Sequence, residues 1–159
     1  MKIVSKSLMD TEKIARDFIE KISMGVYNTA LVVGLYGDLG SGKTTFTQAV
    51  ARIFNIKEDI TSPTFVIEKI YPIRTNAASA TSNGTGDFKH ENFKKLIHID
   101  AYRLDSGKEL LALEWERIVM DPNNIIFIEW PERVLEVLPK NHAKIFFRFL
   151  GENEREIEI

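Results

Sequence analysis

The chain contains no cysteine among its 159 residues, which excludes disulfides, thiol nucleophiles and cysteine-ligated zinc together. Its three histidines offer no metal cluster. No stretch approaches the roughly 18 consecutive apolar residues that suggest a membrane span. The opening segment, Met1-Lys2-Ile3-Val4-Ser5-Lys6-Ser7, has no apolar core of the signal-peptide kind. The expected location is therefore the cytoplasm, with no membrane partner. Neither sign of charge dominates: 21 Lys plus Arg face 23 Asp plus Glu, for a net charge of −2. A chain so balanced does not advertise nucleic-acid binding by the domain alone, and any RNA contact would run through partner proteins. No N-K-x-D guanine-reading motif occurs, which argues against GTP. There is no internal repeat and no sign of a second domain, so residues 1–159 are expected to form one domain around one core.

Residues 37–44, by contrast, read Gly-Asp-Leu-Gly-Ser-Gly-Lys-Thr, a complete G-x-x-x-x-G-K-[ST] phosphate-binding loop. The apolar run Leu31-Val32-Val33-Gly34-Leu35-Tyr36 precedes it, and a helical pattern from Thr45 to Phe54 follows. Strand, glycine loop and helix in that order set the motif apart from a Gly-rich surface turn. The glycines let successive N–H groups point inward at phosphate oxygens, and the helix N-terminus adds partial positive charge there. The run Asp38, Leu39, Gly40, Ser41, Gly42, Lys43, Thr44 and Thr45 is expected to wrap a nucleoside triphosphate. Lys43 would reach the β- and γ-phosphates, and Thr44 would offer its hydroxyl to Mg²⁺.

Around this loop the chain alternates strands and helices. Ile14, Phe18 and Ile22 recur four apart within 10–24, an amphipathic helix that Ser7 or Asp10 would cap and Gly25 would end. Strands are expected at 31–36, 65–73, 95–100 and 125–129, and helices near 44–54 and 107–119. A closing hairpin is expected from Lys144–Leu150 and Glu154–Ile159. Residues 74–94, rich in Ser, Thr, Asn and Gly, read as a long mobile loop insertion. The resulting class is α/β with a mostly parallel core sheet.

A phosphate loop needs a second acidic element at the C-terminal end of a neighbouring strand. Glu129 ends Ile125-Ile126-Phe127-Ile128, a run typical of a strand buried on both faces. Asp100 ends Leu96-Ile97-His98-Ile99. Spacing favours Glu129 for the metal, with Asp100 as the catalytic or second-shell acid; both could instead cap strand ends or pair with Arg103 or Arg133. Thr64, in Ser62-Pro63-Thr64-Phe65, lies where a γ-phosphate-sensing switch is found in many phosphate-loop proteins, or is a plain turn around Pro63. Trp130 could stack on nucleotide or partner or simply pack in the core. His98 reads as a structural strand residue. Glu109, Glu114 and Glu116 read as a solvated helix face.

Four segments taken together resemble the TsaE family: Gly37 to Phe46, Thr61-Ser62-Pro63-Thr64-Phe65, His98-Ile99-Asp100-Ala101-Tyr102-Arg103-Leu104, and Phe127-Ile128-Glu129-Trp130-Pro131-Glu132-Arg133. The likeness runs from Thr11 to Arg155. It departs at Ser41, where alanine is usual, and in the length of 74–94. It implies a P-loop NTPase-like three-layer sandwich, a mostly parallel central sheet with antiparallel edge strands. It further implies an ATPase, weak alone, that needs ATP and Mg²⁺ and serves threonylcarbamoyladenosine synthesis in tRNA. TsaD, carrying the transferase chemistry, and TsaB, its companion, would be the partners, with tRNA met only through their complex. By the same resemblance Glu129 is the Mg²⁺ ligand beside Thr44, Asp100 is the essential acid, and Thr64 is the switch threonine. Thr11 would then lie near the adenine and Trp130 beside the nucleotide. Two rivals stand against it. A small-molecule kinase would need a cationic lid, and 74–90 supplies only Arg74 and Lys89 at its edges. A nucleotide-gated binding module would need no hydrolysis.

Overall fold

The structure, a computed structural model, describes residues 1–58, 60–61, 67–74 and 92–159. Seven strands and four α-helices follow in chain order: β1 (Lys2–Ser5), α1 (Leu8–Ser23), β2 (Leu31–Tyr36), α2 (Lys43–Ile53), β3 (Glu68–Pro72), β4 (Lys95–Asp100), α3 (Gly107–Leu111), α4 (Trp115–Met120), β5 (Asn124–Glu129), β6 (Ala143–Gly151) and β7 (Glu154–Glu158). They form one sheet in the order β1-β7-β6-β2-β5-β4-β3. The four inner strands β6, β2, β5 and β4 run parallel, whereas β3, β7 and β1 are antiparallel at the two sides. The expected mostly parallel centre with antiparallel edges is therefore present.

Strand pleating divides the core in two. Val33 and Leu35 of β2, Ile125 and Phe127 of β5, and Leu96 of β4 pack against α1 and α2 on one face. Val32, Ile126, Ile128, Ile97 and Ile99 pack against the α3–α4 side on the other. Three layers result. The α1/α2 layer is keyed by Phe18, Phe46 and Phe127, whose ring centroids lie 6.1–6.5 Å apart. Aromatic contacts of this kind add about 1 kcal/mol each beyond burial.

Ser7 caps α1, its hydroxyl accepting from Asp10 N at 3.1 Å, and the helix closes at Met24, one residue before Gly25. The helix expected over 107–119 is two short helices. Glu114 adopts φ 59° between them, so that Leu110 and Trp115 both reach the core. Glu109 is more than a solvated acid: its Oε1 accepts from the Asp105 and Ser106 amides at the start of α3. The strand at 65–73 is observed over Glu68–Pro72, with Pro72 tolerated because β3 is an edge. Phe65 and Val66 lie outside the described residues. So does most of the 74–94 segment, but its end is anchored. Phe93 is buried against Tyr27 and Phe54, and Asn92 Nδ2 donates to Ser23 O at 2.8 Å. β1, a four-residue edge strand, carries too little pattern to be foreseen.

Candidate active site

Parallel order places the C-terminal ends of β2, β5 and β4 along one edge of the sheet, where α/β proteins gather ligands. The phosphate loop leaves β2 at Gly37, Glu129 ends β5 and Asp100 ends β4. Asp100 and Glu129 are direct cross-strand neighbours, and Glu129 also pairs with Leu35. By strand parity both acids face the α1/α2 layer, toward the N-terminus of α2. They are each 4% exposed.

The loop is tightly wound. Gly37 has φ 142°, and a Cβ there would lie 2.3 Å from the carbonyl oxygen of Phe147. Gly42 has φ 105° and stands as the N-cap of α2, leaving the first amides of the helix pointing into the cleft. Lys43 Nζ donates to Gly37 O at 2.6 Å and Asp38 O at 2.9 Å, and sits 4.2 Å from the Trp130 ring centroid. Burial pushes the Lys43 ammonium below its ordinary value, against the opposing pull of Glu129, Glu132, Asp100 and Asp38. Thr44 Oγ1 donates to Glu129 Oε1 at 2.7 Å. That bond joins loop and acid directly.

These groups line a cleft of about 530 Å³, a size that suits a small-molecule ligand. Among the residues foreseen for nucleotide or metal, Thr11, Leu39, Gly40, Ser41, Gly42, Lys43, Thr44, Thr45, Asp100, Glu129 and Trp130 all line it. Asp38 does not; it serves the loop through its carbonyl. Thr64 lies outside the described residues. Arg103 and Arg133 do not line the cleft. Trp130 has φ 59° and ψ 47°, a left-handed conformation rare for a bulky residue. Its ring stands 5.1 Å from that of Tyr102, while Tyr102 N donates to Asp100 Oδ1 at 2.9 Å. The Ser41 hydroxyl is buried without a hydrogen-bond partner among the described residues, so this position contributes through its backbone.

A further wall of the cleft comes from the two ends of the chain. Thr11 Oγ1 lies 2.8 Å from Ser5 Oγ, and Ser7 and Leu8 extend that side. Beside them stand Glu152, Asn153, Arg155 and Ile157 of the closing hairpin, with Ser5 paired to Arg155 and the Arg155 stem 3.7 Å from where a Cβ on Gly42 would lie. Arg155 Nη1 donates to Gly151 O at 2.6 Å and Glu154 O at 2.9 Å, and the guanidinium carbon lies 4.5 Å from the Phe149 ring centroid. Sequence reasoning treated the hairpin only as a fold element. The one available signal was an arginine just beyond a Gly-Glu-Asn turn.

Among the described residues no three His, Asp or Glu side chains converge to enclose a cation. A divalent ion here would draw on Thr44, Glu129 and the phosphates of a bound nucleotide, as Mg²⁺ commonly does. No helix among the described residues is long and apolar enough to cross a membrane.

Comparison with known proteins bears on the family and the fold. The model of the family described as "Threonylcarbamoyl adenosine biosynthesis protein TsaE" matches residues 5–157. The TsaE protein of Treponema pallidum is 31% identical over 159 residues, covering 100% of this chain and 99% of its own. That of Borreliella burgdorferi is 36% identical over 126 residues, 79% of this chain and 77% of its own. The crystal structure of Bacillus subtilis YdiB superposes with a TM-score of 0.63 at 25% identity, covering 99% of this chain and 82% of that one.

Proposed function

We propose that this chain, which belongs to the TsaE family, acts in threonylcarbamoyladenosine modification of tRNA as an Mg²⁺-dependent ATPase. In this reading it supports TsaD- and TsaB-like partners and meets tRNA only through their complex. Hydrolysis resets that complex between turnovers. The observation that carries the reading is the 2.7 Å bond from Thr44 to Glu129, which couples the phosphate loop to a buried acid with Asp100 alongside.

Each residue has a task the geometry supports. Lys43 exchanges the Gly37 and Asp38 carbonyls for phosphate oxygens, which relieves a buried ammonium by giving it anionic partners. Thr44 keeps donating its hydroxyl hydrogen to Glu129 Oε1, which leaves the lone pairs of Oγ1 to hold a cation, and the second oxygen of Glu129 would be offered to the same ion. Bound Mg²⁺ supplies charge neutralisation on the β- and γ-phosphates. Asp100 orients the water that attacks the γ-phosphorus and takes its proton as the bond to the β-phosphate oxygen breaks. Thr11 borders the adenine end, and Trp130 stands beside the nucleotide next to Lys43.

Phosphate release is to be measured for the chain alone and with a TsaD–TsaB-like pair, for wild type and for Lys43→Ala, Asp100→Ala and Glu129→Ala. Slow release that rises with the partners and disappears in all three variants is expected. Transfer of phosphate to a small acceptor would make the protein a kinase. Tight nucleotide binding without release, even with partners, would make it a gated binding module.

A further inference from the structure

His98 occupies a place that packing alone does not explain. It lies on β4 between Ile97 and Ile99, with its side chain fully enclosed. A leucine in that setting would bury apolar surface at no polar cost, whereas an imidazole must hydrogen-bond both nitrogens to break even. Here only one is satisfied. Nε2 lies 2.9 Å from Glu129 Oε1, while Nδ1 is buried with no partner among the described residues. A buried polar atom left unpaired calls for an explanation.

The explanation is in the carboxylate. Glu129 Oε1 already accepts the Thr44 hydroxyl at 2.7 Å, so it takes two donors from two different elements, α2 and β4. Glu129 is the diagonal neighbour of His98 across the sheet, since His98 pairs with Phe127 and Asp100 with Glu129. Two donors on one oxygen hold the carboxyl group in a single orientation. They leave Oε2 as the oxygen without a protein hydrogen bond among the described residues.

We propose that His98 is a positioning residue of the cation site: its Nε2–H pins Glu129 Oε1 so that Oε2 is the oxygen offered to the nucleotide-bound divalent ion. The inference rests on the function proposed above. To donate from Nε2, the ring carries its proton there and keeps a bare lone pair at Nδ1. A second proton at Nδ1 would be a buried donor with no acceptor. His98 thus acts one bond away from the ion, as outer-shell histidine and carboxylate partners do in metal sites generally.

The test uses the full chain and three variants, with AMP-PNP as the probe. A glutamine side chain can carry an N–H to about where His98 Nε2 stands, an asparagine reaches only as far as Nδ1, and leucine fills space without donating. Calorimetric titration is run in EDTA and in Mg²⁺. In EDTA all four proteins are expected to bind alike. In Mg²⁺, wild type and His98→Gln gain affinity, while His98→Asn and His98→Leu lose about 10- to 100-fold of that gain. A merely structural role would lower thermal stability without separating the two conditions.

Equal gains in all four proteins would overturn the proposal and leave the function intact. Absence of any Mg²⁺ gain in wild type would overturn both. If the leucine variant fails to fold, the Gln and Asn pair decides. The ¹⁵N spectrum of the wild-type imidazole gives an independent check, because a proton on Nδ1 instead of Nε2 would refute the mechanism.

Discussion

Glu129 is the residue on which the fold and the proposed chemistry most directly depend, and two substitutions separate those roles. Glu129→Ala removes the acceptor for His98 Nε2, which is fully enclosed and cannot turn to water. It also removes the acceptor for Thr44, which is only half-buried and can. One buried donor left unpaired costs about 1–3 kcal/mol. For a domain of this length, 1 kcal/mol moves the melting temperature by about 2–4 °C. A loss near 2 kcal/mol therefore predicts a fall of about 4–8 °C by differential scanning calorimetry. Glu129→Gln keeps a carbonyl oxygen at Oε1 for both donors and is expected to melt within about 1 kcal/mol of wild type. It discards the negative charge that most strongly supports the Lys43 ammonium against burial.

Both variants should lose Mg²⁺-dependent phosphate release. Removing one preorganised electrostatic group commonly costs about 10²- to 10³-fold. The informative outcome is thus a pair with different melting temperatures and the same inactivity. Glu129→Ala melting with wild type would refute the hydrogen-bond argument. Glu129→Gln hydrolysing ATP at the wild-type rate would refute the assignment of the carboxylate to the cation.

Three further outcomes follow from particular atoms. Gly37→Ala should collapse the loop, because its Cβ would meet the Phe147 carbonyl at 2.3 Å; Gly40→Ala, with open space and φ 73°, should cost only about 1–2 kcal/mol. Chemical denaturation and nucleotide binding of the two would show the contrast. Ser41→Ala removes a buried hydroxyl with no partner among the described residues, so it should leave stability unchanged or raise it by about 1 kcal/mol, read by the same denaturation. Glu68 is held above its ordinary 4.5, chiefly by burial and then by Glu114, with Arg117 opposing. The native state therefore keeps that proton more tightly than the unfolded chain, and stability falls as pH rises from 4.5 through the folded value. Glu68→Gln should abolish this fall and stabilise the protein at pH 7, as thermal melts across pH would reveal.

What was legible in the sequence is what a single element can announce. The run of four apolar residues before Glu129 identified a strand buried on both faces, and β5 does lie between β2 and β4. The phosphate loop declared its own strand, turn and helix. The break at Glu114 was hidden because residues 107–119 offer apolar positions to either one helix or two. The left-handed turn that selects two is a tertiary outcome, set by what Leu110 and Trp115 can reach. The His98–Glu129 contact was hidden for a related reason. Its neighbours in sequence are isoleucines, and the carboxylate that explains it lies 31 positions away on the next strand.

The wall built by the chain termini was invisible on stronger grounds. It exists only because β1 and β7 pair antiparallel, with Lys2 opposite Glu158 and Ser5 opposite Arg155. That register sets the Ser5 end of one terminus beside Arg155 of the other, on the edge where the loop leaves β2. Neither segment carries a motif, and no local pattern links residue 5 to residue 155. The phosphate end of the cleft is thus written in consecutive residues, because a glycine loop must bend its own backbone around the anion. The termini-built wall is assembled from distant ones, because it needs only surfaces brought together. Variation in ligand or partner preference among related chains is accordingly expected at this termini-built wall, while Gly37 remains sterically bound to its place.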